Sequence, residues 1–122
     1  MCLNAKQTIK GFKSEKAVIR LARKDIVVYK ILVKCFDKYI APYRAGFIYH
    51  KGLNYPKEPS KKILFEDTLI FGGWLHAYLN EDRARDVAEW SNDVVVKMVI
   101  PRGSKYILGT IDDVCASCLK WE

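Results

Sequence analysis

Trp74, His76 and Tyr78 recur at every second position of the segment WLHAY. Extended backbone turns alternate side chains to opposite faces, so these three rings are expected on one side and Leu75 and Ala77 on the other. An imidazole that can donate or accept, set between two flat aromatic surfaces, suits the stacking and edge recognition of a nucleobase. Gly72 and Gly73 stand just before it, where a ligand can come close to the backbone. Arg44 in APYRAGF, and Arg102 and Lys105 in PRGSKY, are cations beside glycines and tyrosines. An arginine next to turn amides is a setting that holds phosphate. The six residues together predict a nucleotide-like anionic ligand. The competing reading is a half-buried sheet face carrying a hydrogen-bonded histidine.

Other reactive residues form no legible constellation. Cys115 and Cys118 make a C-x-x-C, but their surroundings are strand-like, and positions three apart on a strand face opposite ways. Cys2, Cys35, His50 and His76 show no paired ligand spacing, so the sequence predicts neither metal nor cofactor. No acid–base pair or nucleophile–base signature stands out, which favours binding over covalent catalysis.

The second chemical feature is charge. The net charge is +7, and residues 1–34 hold nine Lys or Arg against Glu15 and Asp25, so the whole excess is N-terminal. SEKAVIRLARKD (14–25) has a cap-type serine, an early acid and late basic residues, and is expected to form a short helix. At 3.6 residues per turn, Lys13, Lys16, Arg20, Arg23 and Lys24 share one side and Val18, Leu21 and Ala22 another. Residues 1–24 are accordingly read as a basic helical segment whose ridge could dock an acidic partner surface. Affinity of that kind falls with salt.

Several elements must hold these groups in place. DIVVYKILVKCF, rich in β-branched and aromatic residues, is expected as a central strand. Tyr43 to Tyr49 reads as an edge strand with potential for self-association, followed by a loop rich in proline and glycine. ILFEDTLIF is expected as one or two strands and WLHAY as another. Asn80 is a natural N-cap for a helix from Glu81, with Ala84, Val87 and Ala88 inward. NDVVVKMVIPRGSKYILGT is strand, turn and strand, and VCASCLKW a last strand. The expected fold is a single α+β domain over residues 1–122, a mainly antiparallel sheet of five to seven strands with two short helices.

Half the residues are hydrophobic, enough for a globular domain of this length without disulfides. No apolar run approaches the ~18 residues of a membrane span; the longest, Ile26 to Val33, is broken by Lys30. The start lacks the apolar stretch of a secretory signal, so a cytoplasmic protein with reduced thiols and no membrane partner is expected. No nucleic-acid motif is present, which argues against sequence-specific binding of DNA or RNA.

The order DIVVYKILVK, YIAPY, GGWLHAYLNEDRA, VVVKMVIPRGSKYILGT and CASCLKW resembles small uncharacterised accessory proteins carried by phages and prophages of gut Bacteroidota. In those a G-x-H-aromatic piece precedes a helix and a later strand ends in I-P-x-G-x-x-Y. The similarity spans residues 24 to 121 and implies a phage accessory role in the host cytoplasm. Anti-defence action is then expected, by sequestering a nucleotide signal or by binding a host protein. A looser similarity to ADP-ribosyltransferases rests on a G-x-x-aromatic strand before an ED-x-A helix. Those enzymes use a late catalytic Glu, whereas after Glu89 this chain has only Glu122.

Overall fold

Ile26 to Cys35 forms the longest strand of the computed structural model, and most of the fold is arranged around it. The structure describes residues 3–5, 19–41, 47–57, 61–65, 68–72, 74–88, 91–109 and 112–122. In chain order the strands are β1 (Leu3–Ala5), β2 (Arg20–Leu21), β3 (Ile26–Cys35), β4 (Lys38–Ile40), β5 (Ile48–Tyr49), β6 (Gly52–Asn54), β7 (Lys61–Phe65) and β8 (Thr68–Gly72). They continue as β9 (Leu75–Tyr78), helix α1 (Glu81–Val87), β10 (Asp93–Ile100), β11 (Lys105–Leu108), β12 (Asp113–Ala116) and β13 (Leu119–Trp121). The large sheet runs β2-β11-β12-β9-β3-β10-β13-β6, with β4 and β5 branching from β3, and β1-β8-β7 forms a small second sheet. All of these pairings are antiparallel.

Strand alternation explains where the core lies. Val28 and Leu32 of β3, Met98 and Ile100 of β10, Leu75 and Ala77 of β9 and Val114 and Ala116 of β12 are all buried in one cluster with Leu119 and Trp121. The opposite face of β3 and β9 presents Ile31 and Tyr78, and α1 covers it with Ala84. Asn80 caps that helix, its side chain accepting from the Asp82 and Arg83 amides at 2.8 and 3.3 Å. The helix thus starts where a side-chain oxygen replaces the missing backbone acceptors.

The architecture corrects the expected one in two respects. The large sheet has ten strands where five to seven were expected, and α1 is the one helix among the described residues. The additional strands are β2, in the stretch expected to be helical, the short pieces β4 and β6, and the division of VCASCLKW into β12 and β13, whereas β5 falls within the expected Tyr43–Tyr49 strand. Asn54 holds β6 in place. Its Oδ1 accepts from the His50 amide at 3.1 Å, and its Nδ2 lies 3.0–3.3 Å from the carbonyls of His50, Gly52 and Leu119. A short turn is thereby tied to β13 by one side chain, a device that hydrophobic periodicity does not display.

The expected basic helix over 14–25 is corrected over its described part, while residues 14–18 lie outside the described residues. Residues 19–25 are not helical; Arg20 and Leu21 pair with Tyr106 and Lys105. The Ala22 amide donates to Ser104 (2.9 Å), the Gly103 amide to Ala22 (2.8 Å), and the Arg102 amide to Asp25 Oδ1 (2.9 Å). These bonds come from the turn at Pro101–Ser104, far away in sequence, and outweigh a helix preference worth only tenths of a kcal/mol per residue. Lys13 and Lys16 lie outside the described residues.

Phe36, at the β3–β4 turn, combines φ of +57° with 94% exposure. The left-handed region costs a residue with a Cβ about 1 kcal/mol, and an exposed ring recovers little of it by packing. Phe36→Gly should therefore raise the unfolding free energy by about 0.5–1 kcal/mol, read as a higher urea midpoint at unchanged slope.

Candidate functional site

His76 and Tyr78 lie in β9, where alternation sends both rings to the side opposite Leu75 and Ala77. They meet edge to face with centroids 5.0 Å apart. Both are buried, His76 at 5% and Tyr78 at 3% exposure. Trp74 is half-buried just before the strand. The register places His76 opposite Cys115 and Tyr78 opposite Asp113 on β12, so these four side chains share one side of the sheet. His76 Nε2 lies 3.2 Å from Asp113 Oδ2, and that carboxylate favours the tautomer with the proton on Nε2.

Lys30, which interrupts the apolar run of β3, points to the opposite face with Val28 and Leu32 and is itself buried. Its Nζ donates to the His76 carbonyl at 2.5 Å and lies 5.2 Å from the centroid of the Tyr49 ring. Burial depresses the His76 pKa below the usual histidine value. The Lys30 charge adds to the drop, and the hydrogen bond that His76 donates to Asp113 opposes it. The imidazole is thus held neutral, as a donor to Asp113.

A cysteine, a histidine and an aspartate on adjacent strands have the composition of a nucleophile, a base and an orienting acid. Such a group works only where a substrate can reach it, and Cys115, His76 and Asp113 are 0, 5 and 3% exposed. The geometry is that of a satisfied polar cluster inside the fold. Cys118, also buried, lies between β12 and β13, with its thiol pKa pushed up by burial. Among the described residues no group of three His, Cys, Asp or Glu could hold a metal ion.

The sign of the His76 shift fixes a pH dependence. The folded pKa lies below the unfolded one of about 6.5, so between the two values the unfolded chain binds more protons. Stability contributed by neutral His76 is present above that unfolded value and is lost as pH falls below it. Urea melts should show a midpoint that declines from pH 7.5 to 5.5, and His76→Leu should flatten that decline.

The remaining site residues fall elsewhere. Arg44 is outside the described residues. Arg102 and Lys105 are exposed, and they stand beside Arg20, Arg23 and Lys24, also exposed. Lys105 is paired with Leu21, and the 22–25 and 101–104 turns are hydrogen-bonded to each other. Two groups of cations assigned from sequence to different ligands therefore meet along one end of the large sheet. Among the described residues no side chain of the five makes an ion pair or a hydrogen bond. Asp25 is the carboxylate in this stretch, accepting the Arg102 amide.

Lys30, Asp113 and Asn54 were not singled out from the sequence. Lys30 did leave a signal, a charge at an inward position of an alternating strand; Asp113 and Asn54 sit in turn-like contexts that many exposed residues share. A surface depression of about 390 Å³ lined by Arg85, Ala88, Asp93, Val94 and Val95 gathers few free polar groups, since Arg85 is paired with Glu81 at 3.0 Å.

No protein-family model matches the chain, and neither a curated protein nor a solved structure matches it. No helix among the described residues is long and apolar enough to cross a membrane.

Proposed function

We propose that this is a non-catalytic binding protein that docks an acidic protein surface through the cationic end of its large sheet. The observation that carries the reading is the convergence of Arg20, Arg23, Lys24, Arg102 and Lys105, all exposed and without ion-pair partners among the described residues. Exposed cations held by a hydrogen-bonded pair of turns keep their spacing without reorganisation, which favours charge-complementary docking and fast encounter. The resemblance to phage accessory proteins supports a host protein as the partner and anti-defence as the setting.

The nucleotide-sequestering alternative draws on Trp74, His76 and Tyr78, and it needs an opening beside rings of which two are 5% exposed or less. The sheet end requires no such opening.

Labelled deca-glutamate serves as the probe of an acidic surface, and ATP as the probe of a nucleotide site. Simultaneous Arg20→Glu, Arg23→Glu and Lys24→Glu should weaken deca-glutamate binding at least tenfold in fluorescence anisotropy. An equal reversal at the exposed Arg83, Lys97 and Lys120 should weaken it much less. Equal losses in the two variants would show a response to net charge alone and defeat the assignment. Tight ATP binding abolished by His76→Ala would replace it with the nucleotide reading.

A further inference from the structure

β2 is the terminal strand of the large sheet, and among the described residues it is paired with β11 alone. Antiparallel strands use alternate residues for the shared ladder. Ala22 donates its amide toward β11, to Ser104, so the amide and carbonyl of Leu21, one residue earlier, point away from β11 to the outer edge. The side chains at this edge are unusual for a terminal strand. Ile19 is 53% and Leu21 59% exposed, two large apolar groups left in solvent next to Arg20, Arg23 and Lys24.

An exposed strand edge invites pairing with another chain, and positive charge is a common way of preventing pairing between identical edges. Here the cations discourage a second copy of the same edge, while the apolar side chains and outward backbone groups remain available to a partner of opposite charge. We infer that β2 is an acceptor for strand addition, and that its occupant is an extended segment of a partner protein in which acidic residues alternate with apolar ones. Backbone bonds to Leu21 give the segment its register. Apolar residues cover Ile19 and Leu21, and carboxylates meet Arg20, Arg23 and Lys24. This is the edge-augmentation mode of peptide recognition, in which main-chain bonds supply affinity and alternate side chains supply specificity. The inference rests on the cationic docking proposed above and adds to it the conformation and composition of what is docked.

The test uses the whole protein and an acetylated, amidated peptide of alternating Glu and Val, compared with the same peptide N-methylated at every second residue on its pairing edge. Methylation leaves charge and side chains intact and removes the backbone donors, so it should weaken binding at least tenfold. Leu21→Pro, which removes one outward amide, should cause a similar loss, whereas Leu21→Ala should keep most of the affinity. Circular dichroism checks that the proline variant folds; the methylated peptide tests the inference on unaltered protein. Equal binding of parent and methylated peptides overturns strand addition. If the Arg20, Arg23 and Lys24 reversal still abolishes binding in that case, cationic docking survives; if the reversal has no effect, the docking reading itself fails. Concentration-dependent self-association that Leu21→Pro abolishes would assign the edge to a second copy and also overturn the inference, as would inorganic polyphosphate displacing the peptide with no discrimination between its two forms.

Discussion

Truncating Leu32 to alanine should lower the unfolding free energy by about 3–4 kcal/mol, within the range for large-to-small changes at fully buried positions. Leu32 is fully buried at the middle of β3, paired with Val94 of β10, and belongs to the cluster that joins β9, β10, β12 and β13. The same cluster includes Tyr49 of β5 and Trp121 of β13. Hydrogen-bonded strands on both sides of β3 restrict collapse into the space that truncation leaves, which places the cost above simple loss of apolar transfer. The domain should remain folded at 25 °C only if its total stability exceeds that cost, and urea denaturation at pH 7.5 measures the difference. A loss below about 1 kcal/mol would mean that the sheet relaxes around the site and that its core is more plastic than its burial implies.

Asp113→Ala is the second large effect, a loss of about 2–3 kcal/mol. The change removes the acceptor of the His76 Nε2–H inside the fold, where water does not replace it, and Asp113 is itself 3% exposed. A buried neutral donor left without its acceptor costs about 1–3 kcal/mol. The informative comparison is the double replacement His76→Leu with Asp113→Ala. If the pair is a satisfied polar cluster, removing both partners should be less destabilising than removing Asp113 alone, giving a coupling energy above 1 kcal/mol in a double-mutant cycle. Additive losses would show that the two side chains act independently. Neither variant should alter deca-glutamate binding beyond its effect on the folded fraction.

Local patterning made much of the architecture legible. The β-branched run of β3, the strand–turn–strand about Pro101–Ser104 and the helix after Asn80 follow from side-chain period and capping, and the structure has each of them. The basic segment before Asp25 misled because its signals were helical while its partners were remote: the bonds from Ser104, Gly103 and Arg102 depend on where the 101–104 turn arrives in space. A short strand such as β6 lacks the length for a pattern and owes its place to Asn54. At the site, alternation placed His76 and Tyr78 on one side, but a period of two says which way a ring points and nothing about what covers it. The same limit hid the convergence of Arg102 and Lys105 with Arg20, Arg23 and Lys24, residues some eighty positions apart.

The proposed docking confines recognition to the cationic sheet end and leaves the His76 cluster inside the fold. Amide chemical-shift mapping during titration with deca-glutamate locates the docking surface residue by residue. Shifts should concentrate at residues 19–25 and 102–106 and diminish as salt is raised, with the amides of His76, Tyr78 and Asp113 nearly unmoved. Shifts centred on Trp74 to Tyr78, with 19–25 unaffected, would contradict the proposed docking.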